Sequence, residues 1–223
     1  MIKVENIETW GFQHAIRGLR NPMNSWDKSD TLLCGNIDNP DLILGKNDLE
    51  LMQRLYKAGS EHRKYLRQIF VSMDITAPLY WWKEMDTYKV GTVANSCSTM
   101  HKIHSKEFEL DDFSLEHLNN FNGFSETTNF YEHMTETIKK LNTARKLYLQ
   151  TGDKQYWWQM IQLLPSSYNQ KRTITMNYEN VVNIIYQRSG HKLDEWNIFC
   201  EILKELPYVK EILSGGDKEK SEI

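Results

Sequence analysis

The sequence predicts a mixed α/β or α+β domain, and three observations carry that reading. Five prolines and eleven glycines punctuate 223 residues, so long elements with few breaks are expected, most of them helices. Two segments, Ile69–Thr76 (IFVSMDIT) and Thr173–Met176 (TITM), have the alternation or the β-branched content of strands. Each runs straight into a helix-start signal, and strands interleaved with long helices define this class.

The first element is a short strand over Ile2–Thr9, followed by a helix over Phe12–Leu19 whose Phe12, Ile16 and Leu19 share one face. Asn21–Gly45, rich in Asn, Asp, Ser and Pro, reads as a long loop of the kind that is usually functional. Asn47 or Asp48 is placed to cap a helix running to Ala58, with Leu49, Met52, Leu55 and Tyr56 on its apolar stripe and Gly59 at its end. In the Ile69–Thr76 strand, Ile69, Val71, Met73 and Ile75 point one way and Phe70, Ser72, Asp74 and Thr76 the other. Thr76 caps the next helix, Pro78–Tyr88, with Pro78 in its first turn. Two long helices follow, Thr127–Gln150 and Asp153–Leu163. After the strand Thr173–Met176, Asn177 caps a helix to Arg188 that stops near Gly190. Leu193–Leu206 is the last helix, ended by Pro207.

Composition narrows the function class. Apolar residues make up 40% and aromatics 12%, enough for a sizeable core. The 27 basic and 30 acidic residues leave a net charge of −3, so no general nucleic-acid footprint is expected. No apolar run approaches the roughly 20 residues of a membrane span, and the first residues read as no secretory signal. Cys34, Cys97 and Cys200 are odd in number and widely spaced, which fits a reducing, cytoplasmic compartment. No repeat or linker divides the chain, so one domain over residues 1–213 and a flexible tail over 214–223 are expected.

No GxxxxGK[ST], GxGxxG, HExxH or GxSxG appears. His101 and His104 in HKIHSK lack a carboxylate or cysteine partner at metal-site spacing, so they read as solvated and no metal is expected. Cys97 in NSCST has no identifiable base and reads as an idle thiol. Trp81–Trp82 and Trp157–Trp158 carry rings able to stack, but one of each pair is expected to face the core.

Three blocks bring in a resemblance. Ile75–His101, ITAPLYWWKEMDTYKVGTVANSCSTMH, resembles the signature region of flavin-dependent thymidylate synthases, the thymidylate synthase complementing proteins. There a strand enters an Ala-Pro-apolar helix carrying Arg-Gln, then the motif RHRxxSxNExSxR. Ala77 and Pro78 match, Lys83–Glu84 replace Arg-Gln, and Thr87, Tyr88 and Lys89 fall where RHR stands. Thr92 falls at the first Ser and, with one inserted residue, Asn95 and Ser98 match NExS. Leu164–His191 resembles the family's LP-x11-TxNARSLxNFLxLRxxxH block through Leu164, Pro165, Thr175, Asn177, Asn183, Arg188 and His191. Ala15, Arg17 and Arg20 resemble its AxRxxR helix end.

The resemblance implies a twisted, largely antiparallel sheet flanked by long helices, a homotetramer, and reductive methylation of dUMP to dTMP with FAD, NADPH and methylenetetrahydrofolate. It implies that Ser98 and Arg188 act on the uracil, that Asn95, Ser98, Arg188 and Lys83 hold the pyrimidine nucleotide, and that Tyr88, Lys89, Asn177, Asn183 and His191 hold the flavin. The departures are equally specific: Ser96, Met100, Glu179 and Ile161 stand where the family has Glu, Arg, Arg and Arg. Each lost cation is a charge-assisted contact worth about 1.5–3 kcal/mol. Arg17, Arg20, Lys83, Lys89, Arg172 and Arg188 remain for a rebuilt anion site. The alternative is a divergent relative acting on another pyrimidine nucleotide, or a non-catalytic nucleotide-binding or assembly scaffold.

Overall fold

The structure, a computed structural model, describes residues 1–36, 39–118 and 129–215. In chain order the elements are β1 (Lys3–Trp10), α1 (Phe12–Arg20), β2 (Leu32–Asn36), β3 (Asn39–Ile43), α2 (Lys46–Lys57), β4 (Phe70–Pro78), α3 (Leu79–Met85), β5 (Thr92–Ser96) and α4 (Thr99–Lys102). They continue with α5 (Phe130–Thr151), α6 (Lys154–Leu163), β6 (Asn169–Asn177), α7 (Tyr178–Arg188), α8 (Asp194–Lys204) and α9 (Val209–Ser214). The fold is mixed α/β with an antiparallel sheet, as expected. Its four strands lie in the order β1-β4-β6-β5, and β2 and β3 form a separate antiparallel pair. No described helix is long and apolar enough to cross a membrane.

The two anchor strands behave as their sequences dictate. Along β4 buried and half-buried residues alternate, with Val71, Met73 and Ile75 at 0–1% exposure. That is the pattern of a strand packed more deeply on one face than on the other. β6 extends further than Thr173–Met176, from Asn169 to Asn177, and lies next to β4. Asn177 caps α7 as expected, its Oδ1 accepting the Asn180 N–H at 3.0 Å.

Several expectations are corrected. Asn21–Gly45 is not a loop: two 3₁₀ turns lead into the β2–β3 hairpin, in which Leu32 faces Ile43 and Leu33 faces Leu42. The apolar pairs that face each other at its open end are too short to read as strands, and residues 37 and 38 lie outside the described residues. Gly45 precedes α2, and Asp48 is a buried ion-pair partner and no cap. Thr76 does not cap α3. The strand runs on through Pro78, and the Leu79 and Tyr80 N–H groups donate to the carbonyls of Tyr168 and Ser166, which removes the need for a cap. α3 stops at Met85, short of Tyr88. Pro207 does not end the helical structure, since Tyr208 adopts a left-handed conformation and the chain resumes in α9. The expected start of α5 at Thr127 and the tail beyond Gly215 fall outside the described residues.

The chain clusters into two compact units. The first comprises Met1–Val4, Asp74–Thr87 and Asn95–Thr173. Its core is Ile103, Phe108, Phe113, Met134, Ile138, Leu141, Ala144 and Met160, where α5 packs on α6. Trp81 and Trp82 are both buried here, where one core-facing ring was expected. They meet edge to face at 4.8 Å, and Trp82 Nε1 donates to the Gln170 carbonyl at 2.9 Å. Trp157 is half-buried and Trp158 exposed, as expected.

The second unit comprises Glu5–Met73, Tyr88–Ala94 and the chain from Ile174 on. Phe12, Ile16 and Leu19 are buried together on α1, and the Phe12 ring meets Tyr178 and Tyr208 edge to face. The Tyr208 hydroxyl donates to the Leu42 carbonyl and accepts the Leu44 N–H. Asp48 is fully buried and accepts from Ser29, Asp30, Thr31 and Arg20, whose Nη2 lies 2.7 Å away. Burial alone would raise its pKa; the hydrogen bonds from Thr31, Ser29 and Arg20 outweigh this and hold the carboxyl below its ordinary range.

Candidate functional site

In the first unit, β5 ends where the Cys97 N–H donates to the Lys171 carbonyl at 2.9 Å and the Cys97 carbonyl accepts from Gln170 Nε2 at 2.8 Å. The backbone then turns into α4, whose N-cap is Ser98: its Oγ accepts the His101 N–H at 3.1 Å. A cleft of about 380 Å³ opens beside this turn, lined among others by Ser98, Thr99, Lys102, Lys106, Tyr168 and Lys171. Buried Ile103 and Phe108 give it an apolar wall. Asn95 and Lys83 are exposed, and the cleft is lined by other residues.

Arg172, counted among the free cations, is not free. Its Nη1 pairs with Asp86 at 2.7 Å, its Nε donates to Gln170 Oε1, and its guanidinium lies 4.2 Å from the Trp82 ring. His104 is half-buried, edge-on to Tyr148 at 5.0 Å, while His101 is exposed. No metal-ligating cluster of three His, Cys, Asp or Glu occurs among the described residues.

The second unit gathers Tyr88, Arg188 and His191. The Arg188 guanidinium lies 4.6 Å from the Trp196 ring and 5.6 Å from the Tyr88 ring. Its Nε donates to the Tyr88 hydroxyl at 2.9 Å, that hydroxyl donates to Gln187 Oε1, and Nη1 is 3.3 Å from His191 Nε2. The arginine side chain is thus engaged by aromatic groups, beyond any role at the carbonyls of its own helix end. His191 Nδ1 accepts the Leu193 N–H at 3.1 Å.

Asn177, besides capping α7, approaches Gly91 so closely that a Cβ there would lie 2.4 Å from its Nδ2; Gly91 also has φ +74°. That glycine is required twice over. Buried Asn180 donates to the Val90 carbonyl and to Thr92 Oγ1, fixing the start of β5. Glu179, standing where the family carries Arg, pairs with Arg63 at 2.9 Å, and Arg63 also donates to Asn183 Oδ1. Lys89 is exposed, as is Arg17; Arg20 is held by Asp48.

Sequence reasoning missed Arg63, Trp196 and the lysines of the cleft. HKIHSK did hold a signal, Lys102 and Lys106 four residues apart, which its two histidines drew attention away from. Nothing in the sequence links Arg63 to Glu179, 116 residues away.

No protein-family profile matches this sequence, and no curated protein matches it. The fold, however, is that of the flavin-dependent thymidylate synthases. Thymidylate synthase X from Helicobacter pylori, solved with FAD and dUMP, aligns with a TM-score of 0.67 at 18% identity, over 97% of this chain and 100% of its own. A second Helicobacter pylori structure of the flavin-dependent enzyme, complexed with FAD and dUMP, gives 0.65 at 16% identity over 95% and 98%. The UMP/dUMP methylase PolB from Streptomyces cacaoi, bound with 5-Br dUMP, gives 0.60 at 14% identity over 96% and 95%.

Proposed function

We propose that this chain is an enzyme acting on a uracil mononucleotide, of the kind that methylates dUMP. The observation that carries the reading is the end-to-end likeness to proteins solved with dUMP or its 5-bromo analogue, at 95–97% coverage of this chain. The cleft beside Ser98 supports it, because its volume of about 380 Å³ is within the range of small-ligand sites. Ser98 and Asn95 are the substrate-side residues of this proposal, with Lys83 near them in sequence order. Arg188 is the candidate for the pyrimidine carbonyls, since guanidinium donors stabilise charge developing there. Cytoplasmic residence and a homotetramer belong to the same proposal.

FAD is the finer part of the reading, with NADPH and methylenetetrahydrofolate as co-substrates. The residues assigned to it fit poorly. Tyr88, Asn177, Asn183 and His191 all have polar atoms bonded within the chain, and Lys89 is the exposed cation of the set. One lysine is a weak match for a pyrophosphate that the family grips with bidentate arginines. No step is therefore routed through flavin. The Glu179–Arg63 pair favours a second reading, a pyrimidine-nucleotide protein that has lost the synthase reaction.

Two measurements on the purified chain decide between them. Calorimetric titration with dUMP and dCMP reports the nucleotide, and visible absorbance reports bound oxidised flavin. Binding of dUMP with flavin absorbance supports the methylating enzyme; dUMP or dCMP without it supports the second reading. A chain that binds neither nucleotide nor flavin overturns both.

A further inference from the structure

We propose that the cavity between α1 and the β2–β3 hairpin is a second small-ligand site, which takes a planar organic anion: its ring stacks on Trp26 and its anionic group is held by Arg17 and Gln13. The site lies wholly within the second unit, and it does not rest on the nucleotide reading.

The walls of this cavity are fixed by the fold. Leu33 and Leu42, directly opposite each other in the hairpin register, and buried Ile16 give its volume of about 280 Å³ an apolar lining. The Tyr208 hydroxyl holds the hairpin through the Leu42 carbonyl and the Leu44 N–H. Ser29 and Thr31 also line the cavity, and both hydroxyls donate to Asp48 Oδ2, at 2.8 and 2.7 Å. Arg20 is paired with the same carboxylate. These polar groups are committed to one another, so they position the walls and leave recognition to other side chains. A site whose walls are already in place loses less freedom on binding.

The uncommitted groups define the ligand. Arg17 is exposed and makes no ion pair or hydrogen bond among the described residues, and no described residue lining the cavity is a carboxylate. Gln13, four residues earlier on α1, is equally unengaged, and residues four apart share one helix face. The guanidinium fork matches an oxyanion with two parallel donors, and the carboxamide adds a third beside it. Trp26 supplies the flat surface. Its Nε1 donates to Asn21 Oδ1 at 2.8 Å, which anchors the indole, while the residue stays 52% exposed and its ring meets no other ring or cation among the described residues. An indole fixed at its N–H with its ring uncommitted is a ready stacking platform. The volume lies at the small end of ligand sites, so it admits a ring system with a short anionic arm and excludes a dinucleotide. Of the two arginines on this face of α1, Arg20 serves the fold and Arg17 the ligand.

The test is calorimetric titration of the full chain with indole-3-acetate, its neutral amide indole-3-acetamide and the non-aromatic cyclohexylacetate. Indole-3-acetate is expected to bind about tenfold more tightly than either analogue. Arg17→Gln is expected to remove the advantage over the amide, and Trp26→Leu the advantage over cyclohexylacetate, while Arg17→Lys keeps part of the affinity. Both side chains are exposed, so thermal midpoints are expected to stay within about 2 °C of the unmodified chain, which separates loss of the ligand from loss of the fold. Equal affinity for acid and amide, unchanged affinity in Arg17→Gln or Trp26→Leu, or no binding at millimolar indole-3-acetate overturns the inference. Saturating dUMP is expected to leave the indole-3-acetate titration unchanged. Displacement by dUMP would make this cavity the nucleotide's own, overturning the second site while upholding nucleotide binding.

Discussion

Arg188→Lys separates what this arginine does for the fold from what it does for a ligand. The substitution keeps the charge and removes the planar fork. In the structure that fork donates to the Tyr88 hydroxyl at 2.9 Å and stacks 4.6 Å from the Trp196 ring, with Tyr88 at 5.6 Å. One hydrogen bond is worth about 1 kcal/mol and a part-exposed cation–π contact about 0.5–1 kcal/mol. A lysine recovers some of the second term, so the expected loss is about 1–2 kcal/mol. At about 2–4 °C per kcal/mol for a chain of this size, the thermal midpoint falls by roughly 2–8 °C. Urea denaturation and thermal melts of both proteins measure this, and dUMP titration on the folded variants measures the ligand term. Lysine also loses the two-pronged grip on a pyrimidine carbonyl, so dUMP is expected to weaken by about tenfold. Unchanged stability would refute the aromatic clamp; unchanged dUMP affinity would refute Arg188 as a substrate residue.

Asp48→Asn leaves the Arg20 guanidinium, 5% exposed, without its partner and is expected to cost about 3–5 kcal/mol in urea denaturation; a loss below about 1 kcal/mol contradicts the buried pair. Because the folded-state pKa of Asp48 lies below the ordinary 3.8, its contribution is fully present above that value and is lost as pH falls through the folded pKa, so Asp48→Asn flattens the acid limb of the stability profile. Glu179→Ala strands a half-buried Arg63 and is expected to cost about 2–3 kcal/mol, with Arg63→Ala in the same background costing much less than alone; additive losses in this double-mutant cycle exclude the pairing. If the family assembly is kept, light scattering reports about four subunits and added FAD raises the thermal midpoint. A monomer indifferent to FAD removes both the tetramer and the flavin.

What the sequence made legible follows from where the information lies. β4 was readable because its two faces meet different surroundings, so burial wrote an alternation into Ile69–Thr76. The start of α7 was readable because a cap is a local device: Asn177 and the Asn180 N–H it accepts are three residues apart. β5 was not, because all of it but the half-buried Thr92 is exposed and nothing apolar marks it. Its strand character comes from partners elsewhere in the chain, the Lys171 carbonyl at one end and the Asn180 side chain at the other. The hairpin of β2 and β3 failed for a related reason. Its apolar pairs are two residues long and β3 carries Pro40, so only register reveals the ladder.

Charge is where local reading was weakest. Arg20 and Arg172 looked available to a ligand, yet their carboxylates lie 28 and 86 residues away and claim both guanidinium groups. The same holds in reverse for Glu179: its sign opposes that of the family's arginine, but Arg63 neutralises it, so this position presents a paired carboxylate and no net repulsion. Arg20, Arg63 and Arg172 therefore hold the scaffold together, because their forks are satisfied by groups fixed in place. The exposed Lys102 is the contrast: its ammonium makes no ion pair among the described residues, so local reading had no distant partner to miss there, and its charge adds little to folding.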